Sequence, residues 1–404
     1  MKIDDKTSHN SPSIRFPEFT GEWEESTIGK EFDLYSGNTP SRLNKEHFKG
    51  KVNWISSGEL KNHYIYSSKE QISEDAAKNL KLLPKGTFVI AIYGLEAEGV
   101  RGTGSITQEP STISQACMAF IPQGDIENEF LYSWYKKHGE VIGVRYAQGT
   151  KQQNLSYDIL EKFKIAYPSI KEQKKLNKFI ALLDERIAVQ NRLIEDLKKF
   201  KCAIVENVLN NRHSRMIRLG DIGSYIRGLT YSSNDVVEQN GTFIMRSNNI
   251  VNGCSLDYYN DVVSVNKRIS KEQMLQNGDI IICMANGCSA LVGKSSFYDG
   301  KCPRSITVGA FCGIYRSEEP IVKWLFQTNR YRRYIWNSLQ GGNGAIANLN
   351  GEDILRMSFP IPDAPVKNNC VKLLTSVDFM IENATSLCVL YTSQKEYLLR
   401  QMFI

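Results

Sequence analysis

"IALLDERIAVQNRLIEDLKKFKCAIVENV" occupies residues 180–208, and its apolar side chains recur every seven positions. Ile180, Ile187, Ile194, Lys201 and Val208 make one row, with Leu183, Gln190, Leu197 and Ile204 interleaved. Such a seam is that of a coiled coil. Residues 374–402, "LTSVDFMIENATSLCVLYTSQKEYLLRQM", write the same seam again, 194 positions later: Leu374, Ile381, Cys388, Lys395 and Met402, interleaved with Val377, Ala384, Tyr391 and Leu398. Even the lysine in the seam recurs. One such helix alone would be expected to pack on its own globular half; two copies favour pairing with each other.

The helical period runs from about residue 171 to 210 and again from about 366 to 403. A helix of that length spans roughly 60 Å at about 1.5 Å per residue, too long for one domain of about 150 residues to cover. The first is expected to act as a spacer, and the second to return antiparallel to it.

Outside the helices the chain is also written twice, at an offset of about 190 to 195. Ile28-Gly29 answers Leu219-Gly220, Ser36-Gly37 answers Arg227-Gly228, and Thr39 answers Thr230. "WISSGELKN" (54–62) stands opposite "FIMRSNNIVNG" (243–253). "LLPKGTFVIAI" (82–92) stands opposite "MLQNGDIIICM" (274–284), each a glycine turn feeding a buried strand. "GTKQQNLSYDIL" (149–160) matches "GAIANLNGEDIL" (344–355), and Pro168 and Pro362 close the blocks. The expected fold is α/β (α+β): two similar globular domains and two long antiparallel helices forming a coiled coil, with pseudo-twofold internal symmetry. The divisions expected are 1–165, the spacer 166–213, 214–362, and the second spacer 363–404.

The 404 residues, 41% apolar and 23% charged, read as a soluble globular protein. No apolar run approaches the roughly 18 residues of a membrane helix, and the opening lacks a signal peptide's pattern, so a cytoplasmic protein with no membrane partner is expected. Nine cysteines without a CxxC pair are expected to be reduced thiols. Cys283, Cys288, Cys302 and Cys312 have no common zinc spacing, and the first copy matches them only with Cys117. No metal site is expected. The net charge of +6, with pI about 8.7, suits a polyanionic partner without requiring one.

Candidate chemistry is sparse. "NGCSALVGKSSF" (286–297) approaches a phosphate-binding loop, but Gly287 and Gly293 enclose one residue too many, and the first copy, "YGLEAEGVRGTGSI" (93–106), lacks the Gly-Lys-Ser order. Both copies instead share a glycine-rich loop carrying a cation, Arg101 or Lys294, suited to approaching DNA phosphates. The single histidines His9, His47, His63, His138 and His213, four of them in contexts resembling solvated loops or helix surfaces, form no catalytic set. No catalytic residue is expected. Two modules held apart by helices suit a reader of two separated DNA half-sites.

Two further stretches, "SIRFPEFTGEWEESTIGKEFDLYSGNTPS" (13–41) and "PSIKEQKKLNKFIALLDERIAVQNRLIEDLKKFK" (168–201), together with the doubled architecture, resemble the specificity (S) subunits of type I restriction-modification systems. The second copy departs from the pattern: "PDAPVKNNC" (362–370) lacks the Glu172-Gln173 pair. The resemblance implies that each globular half is a target recognition domain for one part of a bipartite double-stranded DNA site, and that the helices set the gap and dock two methyltransferase (M) subunits. It also implies restriction (R) subunits. Catalysis would then belong to partners, which bring S-adenosylmethionine, ATP and Mg for adenine-N6 methylation and ATP-dependent cleavage, while this chain holds no cofactor.

Base reading needs polar side chains set among phosphate contacts. The candidates are Ser36, Thr39, Arg42, Ser57, Lys61, Arg101, Lys151, Gln152 and Gln153 in the first half, and Arg227, Thr230, Arg246, Asn248, Asn249, Asn286, Lys294 and Arg304 in the second. Solvated turns would use the same residue types. "TNRYRRYIWNSL" (328–339) interleaves arginines with aromatics, and at helical spacing the aromatics are expected in the core. The rival readings are a nucleotide-binding enzyme built on Lys294 and a coiled-coil protein-interaction adaptor.

Overall fold

In the computed structural model the described residues are 10–97, 99–149, 153–209, 214–238, 240–339 and 347–404. The chain divides into two compact units, one comprising Met1–Asn191 and Ser386–Ile404, the other Arg192–Thr385.

In the first unit the buried run 88–91 lies inside a five-stranded sheet of order Phe32–Ser36, Cys117–Pro122, Phe88–Ala91, Gly104–Thr107, Tyr64–Ile65. A smaller sheet places Val52–Ile55 antiparallel to Glu70–Ile72 and parallel to Ser111–Ile113. Glu24–Thr27 pairs with Lys164–Tyr167. The second unit repeats this plan. Its main sheet runs Ser224–Arg227, Cys312–Arg316, Ile280–Cys283, Ser295–Phe297. Thr242–Met245 lies antiparallel to Val263–Val265 and parallel to Ile306–Val308, and Ser214–Arg218 pairs with Ser358–Pro362.

The long helices are Ile170–Leu209 and Ala364–Met402. Every seam position with a described side chain is buried or half-buried, from Ile180 to Ile204 and from Leu374 to Met402, and the outer faces are exposed. Within the first unit the two helices touch: Lys395 pairs with Asp184, Cys388 Sγ lies 3.3 Å from Asn191 Oδ1, and the Arg186 guanidinium sits 5.2 Å over the Tyr391 ring. Within the second, Lys201 Nζ is 3.1 Å from Asp378 Oδ1. The helices also complete the module cores: Leu176, Ile180, Leu183, Leu399 and Met402, with Phe403 just past the second helix, join the first, and Val205 and Leu374 the second. Both packing modes coexist, because a seam occupies only one stripe of each helix and leaves another for the module.

The helix entry explains the Glu-Gln pair. Glu172 accepts two hydrogen bonds of 2.7 Å from Arg15, and the buried Gln173 bridges the carbonyls of Asp125 and Pro168 while accepting the Glu127 amide. In the second unit an ion pair of 2.7 Å between Lys367 and Glu319 stands in the corresponding place. Within Ala364–Met402 an 18-residue window, rich in Leu, Val, Ile, Phe, Met and Cys, reaches mean hydropathy 1.3, so by length and composition alone this helix meets the measures of a membrane span.

Candidate nucleic-acid interface

In the first unit the candidate loops meet at one edge of the main sheet. Gly37 follows Ser36 at a strand end and donates its amide to Cys117 O at 3.2 Å, while the Asn38 amide reaches Ile113 O at 3.1 Å. Ile55, two residues before Ser57, accepts the Ser114 amide. Ile92 donates to Ala116 O and accepts from the Leu155 amide, so the loop after the central strand reaches the same edge. Gln153 is fixed there by three contacts: its carbonyl accepts the Leu95 amide, its own amide donates to Glu96, and its side-chain oxygen accepts Arg101 Nη2 at 2.9 Å. Ser36, Ser57, Arg101 and Gln153 are therefore carried on one knitted set of loops, with the exposed Lys61 one turn beyond Ser57 and the half-buried Thr39 two residues past Gly37. Lys151 and Gln152 lie outside the described residues.

The second unit builds the same edge with different side chains. Gly228 donates to Cys312 O at 3.2 Å and Leu229 to Val308 O at 2.8 Å, leaving Arg227 and Thr230 exposed on either side. The Gly309 amide reaches Met245 O, next to Arg246, and the amides of Met284 and Ala285 both donate to Phe311 O. Asn286 Nδ2 lies 3.3 Å from Ser247 Oγ, joining the strand loop to the "RSNN" turn, where Asn248 is exposed. Lys294 lies beside Cys283, whose amide its carbonyl accepts.

Several candidates are placed elsewhere or are engaged, Arg246 among them, whose Nη2 donates to Asp261 O at 2.9 Å. Arg42 makes a two-pronged ion pair with Glu70 at 3.0 and 2.8 Å and covers the Phe48 and Trp54 rings, and its hydrogen bonds hold the Glu70 carboxyl below the usual carboxylate range. Asn249 is 1% exposed, with its oxygen accepting the Arg246 amide and its nitrogen donating to Asn260 O, so it caps a turn. Arg304 stands at the other end of the parallel strand pair, over the Phe243 ring. A residue the sequence reading passed over is Phe311, 67% exposed at the centre of the second edge. The available signal was its place beside Cys312, where the first copy has Ala116 beside Cys117.

The remaining motifs resolve locally. The amides of Gly293, Lys294 and Ser295 already donate to Cys283 O, Leu291 O and Asn252 Oδ1, and the Ser295 hydroxyl donates to Phe326 O. Three donors that a phosphate cradle would need are thus committed. Cys283 and Cys312 are buried cross-strand neighbours whose thiols are pushed up by burial, and burial raises the Cys117 thiol to about 12. Among the described residues no group of three metal-ligating side chains forms. Tyr331 is buried as expected, but Trp336 is 66% exposed, because the short helix Asn329–Leu339 turns that position away from the core. Two histidines are likewise not solvated: His138 is 7% exposed and His63 is stacked between two tyrosines.

Residues 20–199 match the family described as the type I restriction modification DNA specificity domain. The chain is 28% identical over 192 residues to the type I restriction enzyme MjaIX specificity subunit of Methanocaldococcus jannaschii, a match covering 46% of this chain and 43% of that protein. It is 32% identical over 149 residues to the EcoKI specificity subunit of Escherichia coli K12, covering 35% and 31%. The matched stretch thus spans less than half the length of either relative. The crystal structure of a type I restriction-modification S subunit from M. genitalium superposes over 98% of this chain and 99% of its own, with a TM-score of 0.59 at 16% identity. That likeness establishes the fold across both copies, including the second, which lies beyond the matched family segment. Through residues 20–199 the chain is thus similar to the type I restriction modification DNA specificity domain.

Proposed function

We propose that this chain is the DNA specificity subunit of a type I restriction-modification complex, in which each module reads one half of a bipartite duplex site. The observation that carries the reading is the duplicated edge. Equivalent loops converge in both units on the same backbone scaffold, one offering Ser36, Ser57, Arg101 and Gln153, the other Arg227, Thr230, Arg246, Asn248 and Asn286. A common scaffold with different side chains is what two readers of different sequences require, since the backbone sets register and the side chains meet base edges. The domains take the bounds 1–165 and 214–362, with spacers at 166–213 and 363–404 that set the gap between half-sites.

The partners are two methyltransferase subunits and restriction subunits, which supply S-adenosylmethionine, ATP and Mg; this chain chooses the site. Exposed apolar side chains on the outer helix faces, among them Leu182, Val189 and Phe200 on the first and Phe379, Leu390 and Tyr397 on the second, suit docking of the methyltransferase subunits. Mapping modified adenines in a host carrying this chain with its methyltransferase partner tests the reading. The expected map is one two-part motif with a fixed unread gap, lost when this chain is deleted. A map that is unchanged by the deletion overturns it.

A further inference from the structure

The seam holds two acids that the sevenfold pattern does not announce. Asp184 and Asp378 are 194 residues apart, as are Lys201 and Lys395, and each aspartate meets the lysine of the other copy. In the pairs Asp184–Lys395, Asn191–Cys388 and Lys201–Asp378 the two residue numbers add to the same total, so one antiparallel register accounts for all three contacts. The side chains of Lys201 and Asp378 are 12% and 10% exposed, those of Lys395 and Asp184 17% and 32%.

Each aspartate also grips its own module. Asp378 Oδ2 accepts Trp324 Nε1 at 3.1 Å and stands 2.7 Å from Lys323 Nζ, while Lys201 Nζ lies 3.4 Å from Gly253 O. Asp184 Oδ2 faces His63 Nδ1 at 3.9 Å. That imidazole is stacked between Tyr64 and Tyr132 and held through Nε2 by Glu129 at 2.9 Å. Lys136 packs nearby, and burial, with Lys395 adding to it, pulls its ammonium below the usual lysine range.

Buried ion pairs contribute little net stability, because desolvation offsets their attraction; their best-attested use is to specify a register. The seam needs such a device. Gln190, Ala384, Cys388 and Tyr391 interrupt it, so apolar packing alone discriminates poorly between alignments one heptad apart. We propose that Asp184–Lys395 and Lys201–Asp378 form a duplicated register lock, positioning residues that fix the helix pair and seat each module on it. If the function proposed above holds, the lock also fixes the gap between half-sites.

The test uses the full-length chain with its methyltransferase partner. Asn191→Cys places a thiol opposite Cys388, and diamide oxidation followed by peptide mass spectrometry reads the yield of the 191–388 disulfide. With the native lock the yield is expected to be high. Replacing the first pair by apolar residues, Asp184→Leu with Lys395→Met, is expected to preserve helical circular dichroism but lower the yield about threefold or more, since apolar substitutes keep stability and lose the specifying charge pair. The swapped pair Asp184→Lys with Lys395→Asp is expected to restore it. An unchanged yield in the apolar variant, or a swap that restores nothing, overturns the lock. Methylation maps of the same variants report on the spacer separately: a lowered cross-link with an unaltered gap leaves the lock standing and removes the ruler.

Discussion

Gly228→Ala tests whether the second edge is built by backbone contact. A Cβ at this position would meet Gly309 O at 2.1 Å and Cys312 O at 2.6 Å, and both obstacles are backbone. Neither can swing away as a side-chain tip would. The glycine is needed for this close approach, where the Gly228 and Leu229 amides donate to Cys312 O and Val308 O. Overpacking costs about 1 to 3 kcal/mol and loss of the Gly228 hydrogen bond about 1 kcal/mol more, so the variant should lose about 2 to 4 kcal/mol. For a domain of this size 1 kcal/mol shifts Tm by about 2 to 4 °C, and the unfolding of the second unit should fall by roughly 4 to 16 °C. Hydrogen exchange read by mass spectrometry gives the location: protection should drop across 226–230, 306–312 and 280–285, and hold across 32–37 and 88–92. Gly287→Ala, which meets nothing within 4 Å, is the neutral control. A Tm within about 1 °C of the parent, or equal loss of protection in both units, would refute the close-contact account.

Arg246→Ala should alter recognition of one half-site and leave the other intact, with a loss of about 1 to 3 kcal/mol at one base position; a methylation library showing uniform loss at both half-sites would sink it. In the native chain Cys202 and Cys288, both exposed, should be alkylated by iodoacetamide near pH 8, whereas Cys117, Cys283 and Cys312 should resist until denaturant is added, because burial keeps them as thiols. Labelling of native Cys283 as fast as Cys288 would contradict this.

The helices and the strand runs were legible in the sequence because their signals are local. A seam must place an apolar residue every third or fourth position, and a buried strand such as 88–91 must be continuously apolar. The acids of the seam were not legible. "LDER" around Asp184 reads as a solvated helix face, and only the antiparallel register brings Lys395 to it. The sheet order was equally hidden, since the parallel pairing of Thr242–Met245 with Ile306–Val308 joins segments some sixty residues apart.

The candidate edge shows the same division more sharply. Repetition placed the loops correctly relative to one another because the backbone scaffold is what the two copies share: Gly37 and Gly228 make the same close approach, and Ala116 and Phe311 carry the same carbonyl contact. It did not assign the side chains. Arg42 is claimed by Glu70, 28 residues away, and Asn249 by the carbonyl of Asn260, and no local feature separates these from Arg227, which stays exposed. If these edges read DNA, selection can change side chains there without disturbing the hydrogen bonds that hold the loops. The second copy then diverges where a reader must, at positions 227, 246 and 311, and keeps its glycines and strand ends where a scaffold must. Lys367 and Glu319 extend that logic to the helix entry: the Gln173 contact is replaced by a charged pair in the corresponding place, so the joint survives although its motif is gone.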